Sequence, residues 1–237
     1  MRINADFDQR VVVRPGAMDW TPSPMPGVDR KPLDRIGEEV ARATTIVRYA
    51  PESRFSAHTH GGGEEYIVLD GVFQDEHGDF PKGAYVRNPP TSRHTPSSKP
   101  GAVIFVKLWQ FDPEDREQIH IDLNAAELTA RANAPGVSDA ILFKDAREEV
   151  RLERWAPNAA HEIAIDGGFE LLVLSGGIVE GEDPLGPWDW LRLPDGATAR
   201  LQAGPEGARV WTKTGHLRQI SPPVSAPVSA PVSAQKA

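Results

Sequence analysis

The sequence predicts an all-β chain built from two similar halves, each a barrel or sandwich. Two observations carry this. Short runs rich in β-branched and aromatic residues, bounded by Gly, Pro, Asn and Ser, recur along the chain. The same strand-like words also appear twice in the same order, as expected of a duplicated domain.

The elements follow in order. TTIVRYA (44–50), EEYIVLDGVF (64–73), GAYVRN (83–88) and AVIFVKLWQF (102–111) read as strands. Several are apolar on both faces, as when one face lines a barrel and the other packs against a partner sheet. DLNAAELTARANA (122–134) has helical composition, stops before Pro135, and reads as part of a connector over 113–136. Arg154-Trp155-Ala156-Pro157 then repeats Arg48-Tyr49-Ala50-Pro51, and Glu170 to Gly176 repeats Glu65 to Gly71. Trp190 to Pro194 repeats Tyr85 to Pro89. The expected organisation is an N-terminal arm and first domain over 1–112, the connector, a second domain over 137–218, and a tail over 219–237. The tail repeats PVSA and cannot form a core, so disorder is expected there.

Bulk properties limit the function. A formal net charge of -8, with no basic run, argues against a general binder of nucleic acid or anionic membrane. The absence of Cys removes disulfides, thiolate ligands and cysteine nucleophiles. The start of the chain lacks the apolar core of a signal peptide, and no apolar run approaches membrane-spanning length; a cytoplasmic protein is expected.

The chemistry gathers in HTHGGGEEYIVLDG, residues 58 to 71. Residues two apart on a strand share a face, so His58 and His60 present two imidazoles to one interior. Gly61 to Gly63 permit a tight turn, and Glu64 begins the next strand facing back, with Tyr66 and Val68 as its neighbours on that face. Glu65 would point outward. His94, after the turn Asn88-Pro89-Pro90-Thr91-Ser92, is the fourth candidate. Three imidazoles and a carboxylate make a mixed N/O site suited to Fe, Mn, Ni, Cu or Zn. In the second half the counterparts are Ile163, Ile165, Phe169 and Ala199, so that half reads as a scaffold without metal. His77 reads as a turn residue and His161 as a loop or surface histidine. Tyr66, Tyr85, Arg87 and Arg48 are pocket candidates, with Lys107 beside them. Trp20, Trp109, Trp155, Trp188, Trp190 and Trp211 read as core or interface anchors.

These residues resemble the cupin superfamily, whose first motif runs G-x5-H-x-H-x3,4-E-x6-G. His58, His60, Glu64 and Gly71 fit it, while Glu52 stands at its opening glycine. The second motif, G-x5-P-x-G-x2-H-x3-N, is met by Gly83, Pro89 and His94, with Thr91 and Ser98 departing from it. The chain over roughly residues 15 to 111 resembles the ChrR-like cupin family, notably in Asp19-Trp20-Thr21-Pro22, Thr44 to Pro51, Asp75 to Gly83, and Arg87 to Pro90. The resemblance implies a bicupin of two jelly-roll barrels and a metal held by His58, His60, Glu64 and His94. That metal would be Zn(II), as in the anti-sigma factor ChrR, or Fe(II), as in related dioxygenases that cleave diketones; Mn, Ni or Cu also suit the set. Two functions follow: a dioxygenase acting on a small dicarbonyl or related substrate, or a zinc-binding sensor or small-ligand module. Sigma-factor inhibition by the known route needs an N-terminal zinc site with Cys, which this chain lacks. Exposed β edges also lead to an expected homodimer.

Overall fold

The computed structural model describes residues 1–38 and 40–220. The PVSA repeats therefore lie outside the described residues. Among the described residues nearly all regular structure is strand, and every strand pairing is antiparallel. No helix of these residues is long and apolar enough to cross a membrane.

The two halves use one strand order. In the first sheet the order is Arg2–Ile3, Val28–Gly37, Ala41–Tyr49, Ala102–Leu108, Glu64–Asp75, Ala84–Asn88, Ile119–Asp122. In the second it is Thr129–Ala130, Val137–Lys144, Glu149–Trp155, Thr198–Thr214, Phe169–Glu180, Trp190–Leu193, Val11–Val13. Each path runs between two edges without returning to its start. The repeat read from sequence is thus a repeat of topology. It extends to single backbone positions: Gly71 and Gly176 both have φ of 71°. A Cβ there would lie 2.1 Å and 2.2 Å from the carbonyl oxygens of Gly101 and Gly207. Glycine is required twice for the same reason.

The last position of each sheet path is exchanged. Ile119–Asp122, which precedes the second half, completes the first sheet, and Val11–Val13, which precedes the first half, completes the second. The arm assigned to the first domain therefore contributes a strand to the other half.

Strand alternation then builds three apolar layers. Val28, Val47, Tyr66, Val68, Phe73 and Val106 fill the first half. Trp155, Phe169, Leu171, Val173 and Val210 fill the second. Between them Ile46, Ile67, Tyr85 and Phe105 meet Leu152, Leu172, Trp190 and Trp211. Both faces of the central strands are buried, which explains their continuous apolar runs.

The helical expectation for 122–134 fails. Only Leu123–Ala125 makes a 3-10 turn, while Thr129–Ala130 pairs with the strand Val137–Lys144. The Asp122 side chain accepts the Asn124 N–H, competing with helical bonding, and the buried Leu123 donates its N–H to the Gly83 carbonyl. The segment also lacks a continuous apolar stripe, so tertiary pairing overrides its composition.

Candidate metal centre

Of the four residues singled out by spacing, His58, His60 and His94 bring their donor atoms together, and Glu64 lies beside two of them, outside that triad. His58 and His94 are direct partners in a two-stranded ribbon formed by His58–Thr59 and Arg93–His94. The three imidazole rings sit edge to face with centroids 4.7 to 5.0 Å apart. The Nε2 atoms of His58 and His60 are 3.2 Å apart. Glu64 Oε2 lies 3.4 Å from His60 Nε2 and 3.8 Å from His94 Nε2. His60, His94 and Glu64 are buried, whereas His58 is exposed.

Hydrogen bonds on the far side of each ring orient it. His58 Nδ1 faces the Ser56 carbonyl at 3.3 Å, and His94 Nδ1 faces Asp75 Oδ2 at 3.1 Å. Both partners accept, so both Nδ1 atoms donate and the Nε2 lone pairs are left pointing inward. His60 Nδ1 is held by Ser92 Oγ at 3.0 Å, and Asn88 donates to Glu64 Oε2 at 3.3 Å. His94 Nε2 is buried with no hydrogen-bond partner.

Converging lone pairs and a carboxylate repel one another unless a cation lies between them. The spacing fits one. Ligands bonded at about 2.1 Å to a common ion sit about 3.0 Å apart at right angles and about 3.4 Å apart at tetrahedral angles. The His58–His60–His94 triad is therefore an arrangement able to hold a metal ion. Burial lowers the pKa of His60 and so favours the neutral, ligating form. Burial also pulls His94 down, but the Asp75 hydrogen bond and the charges of Glu64 and Asp75 outweigh it and raise its pKa.

A cavity of about 450 Å³ opens beside the site, lined by His58, His60, Glu64, Tyr49 and Trp109 among others. Burial first, and the Glu64 charge second, raise the Tyr49 pKa, so its hydroxyl stays protonated as a donor. Trp109, expected as a core or interface anchor, is instead a cavity wall. Its indole lies against Gly61 and Gly62, where a Cβ would come within 2.9 and 2.3 Å of the ring. Those two glycines make room for tryptophan, and only Gly63 has positive φ, 77°.

None of the four pocket candidates lines this cavity. Tyr66 is fully buried among Phe73 and Phe80 inside the first half. Tyr85, Arg87 and Lys107 face the second half, because Tyr85 pairs with Ile67 while Arg87 and Lys107 both pair with Glu65. Arg48 faces outward, bonded to Asp29 at 2.6 Å and stacked over Trp20. Glu65 does not reach solvent either. It is 2% exposed, binds Lys213 at 2.6 Å and accepts the Tyr85 hydroxyl at 2.7 Å.

His77 sits exposed in a turn, as expected. His161 lies on the strand Ala160–Ala164, packed on Trp155 and bonded to the Pro135 carbonyl. The second half pairs Ile163 with Ala199 where the first pairs His58 with His94. Ile165, Phe169 and Ala199 belong to its apolar core.

Asp75, Ser92, Tyr49 and Trp109 were missed from sequence. Parity along TTIVRYA places Tyr49 on the face of Thr45 and Val47, which was a usable signal. Asp75 gave none, since a register shift at Val103/Ile104 leaves Leu69 unpaired and re-phases the strand, turning Phe73 and Asp75 to the side of Glu64.

Residues 8–112 match the ChrR cupin-like domain family. No protein of curated function matches the chain in sequence. Solved structures share the fold at low identity. A provisionally assigned dioxygenase of Nostoc punctiforme aligns with TM-score 0.75 and 15% identity over 93% of this chain and 88% of its own. A cupin 2 conserved barrel domain protein of Leptotrichia buccalis gives 0.57 and 10% over 82% and 92%. A salicylate 1,2-dioxygenase of Pseudaminobacter salicylatoxidans gives 0.55 and 12% over 74% and 71%.

Proposed function

With residues 8–112 matching the ChrR cupin-like domain and both halves folded as cupins, we propose that this chain is a mononuclear non-haem metal dioxygenase acting on a small carbonyl-bearing organic substrate. The ligands proposed are His58, His60, Glu64 and His94. The observation that carries the reading is the side-by-side placement of the converging donors and the cavity, so that a substrate entering the cavity meets the site directly. The dioxygenases among the structural neighbours support the same reaction class.

A divalent ion held by His58, His60, Glu64 and His94 would supply Lewis acidity toward a carbonyl and redox chemistry toward dioxygen. The side chains do the rest. Ser56, Ser92 and Asp75 hold the three rings in the orientation that directs Nε2 inward. Glu64 offsets part of the ion's charge. Tyr49 offers a neutral O–H to the polar end of the substrate, and Phe55, Val106, Leu108 and Trp109 keep water from the body of the cavity. Exposure of His58 leaves one side of the site open to exchange.

The test is metal analysis of protein purified without oxygen, followed by oxygen uptake with Fe(II) and a panel of diketones and oxo acids. The expected result is about one iron per chain and uptake abolished by His60→Ala. Tightly held zinc, with no uptake under any reconstitution, would overturn the dioxygenase reading and leave a metal-stiffened ligand-binding module.

A further inference from the structure

The cavity has a charged part of its lining that the metal reading does not use. Its walls include Val28, Val47, Phe55, Val106 and Leu108, and apart from the metal-facing residues the charged groups lining it are Arg30 and Arg35. Both arginines lie on the strand Val28–Gly37, five residues apart. Strict alternation would send them to opposite faces. Pairing with Ala41–Tyr49 shows why it does not: Arg30 lies opposite Val47, Arg35 opposite Ala43, and the register shifts between Pro32 and Asp34. The extra residue re-phases the strand. Val28 and Val47 belong to the interior cluster of the first half, so the bulge turns both guanidinium groups toward the cavity side.

These arginines differ from their neighbours. Arg48 pairs with Asp29, and Arg42 lies 3.9 Å from Asp34. Among the described residues, neither Arg30 nor Arg35 makes an ion pair with a carboxylate, and Arg35 bonds only the Glu38 backbone carbonyl. Arg35 is held below the usual arginine range, first by burial and then by the charge of Arg30. Two like charges gathered on an apolar wall cost free energy that a bound anion recovers.

We propose that the cavity binds a small organic acid, its carboxylate held between Arg30 and Arg35 and its apolar body lying along Val28, Val47, Val106 and Leu108. The carbonyl at its other end faces His58, His60 and Glu64, which makes the substrate an oxo acid. That carbonyl end rests on the dioxygenase reading, whereas the carboxylate end stands on the arginines alone. A cavity of about 450 Å³ is of the size small-molecule sites have.

The test is calorimetric titration of the full chain, stripped of metal by a chelator, with hexanoate and benzoate, each against its neutral amide. The acids are expected to bind about tenfold more tightly than the amides. The preference should vanish in Arg30→Gln/Arg35→Gln and persist in Arg30→Lys/Arg35→Lys, which preserves the charges and controls for loss of folding. Equal binding of acid and amide, a preference surviving in the Gln pair, or no binding of either acid up to roughly 10 mM overturns the proposal. Oxygen uptake is read separately. Acid preference without uptake keeps the carboxylate site and removes the dioxygenase; uptake on neutral diketones without acid preference does the reverse.

Discussion

At the scale of single residues, Asp75 separates orienting a ligand from being one. Its Oδ2 fixes His94 through Nδ1 at 3.1 Å, and it does not lie among the converging donors. Asp75→Asn weakens that hold, so metal affinity should fall about tenfold with the fold intact. Competition against a chromophoric chelator measures it, and an unchanged affinity would show that the ribbon alone positions the ring. Gly62 makes a second case. An added Cβ would meet the Trp109 indole at 2.3 Å, so Gly62→Ala should displace that ring and raise its accessibility to acrylamide quenching while metal content holds. Quenching identical to the parent would mean that the loop yields instead. The donors of the site were legible in sequence because two histidines one residue apart, a nearby carboxylate and a third histidine have few other reasons to occur together. Asp75, Arg30 and Arg35 were not, since a parity count from sequence cannot see the bulge that re-phases each strand.

At the scale of elements, the faces turned away from the metal site carry a charge network with its own pseudo-twofold order. Lys213 binds Glu65 and Lys107 binds Glu170, each at 2.6 Å, so each half lends a lysine to the other's equivalent glutamate. Arg87 pairs with Glu148 at 2.8 Å and Arg192 with Asp34 at 3.0 Å. The repeated strand words were legible as a duplication, yet their charged residues read as solvent-facing or pocket-facing. A second sheet covering those faces is a tertiary fact that no strand reveals on its own. Burial opposes ionisation of Glu65, but Lys213, Arg87 and the Tyr85 hydrogen bond lower its pKa to about 2. A depressed carboxylate stabilises the fold above its unfolded pKa, and that contribution is lost as pH falls toward the folded value. Stability should therefore decline between the ordinary glutamate range and about pH 2, less steeply in a Glu65→Leu/Lys213→Met variant. Single substitution at Glu65 leaves Lys213 to Glu148 alone, at 3.0 Å, and the Tyr85 hydroxyl without its acceptor, and should cost about 1–3 kcal/mol in urea unfolding, more than the paired replacement. Equal costs would show that Glu148 by itself compensates the lysine.

At the scale of the whole molecule, the two halves are joined by more than a connector. Val11–Val13 forms an edge of the second sheet from ahead of the first half, and Ile119–Asp122 forms an edge of the first from ahead of the second. The middle apolar layer draws residues from both halves, and the crossed lysine–glutamate pairs lie within it. Neither half can open without exposing the other's inner face and stranding buried charges, so unfolding should be one cooperative event. The metal site lies wholly in the first half, while Trp155 is buried in the interior of the second. Equilibrium urea unfolding of metal-loaded protein, followed by metal release and by the fluorescence of a variant retaining Trp155 as its only tryptophan, should give coincident midpoints. Val12→Asp puts a charge into the exchanged strand where Val12 packs against the second core. It should lower both midpoints together, although the substitution lies far along the chain from every donor at the site. Metal release at an unchanged urea concentration, with only the Trp155 signal shifted, would mean that the first half stands alone and that the second is cargo. Shared midpoints would mean that the half without donors keeps the other half's donors in place.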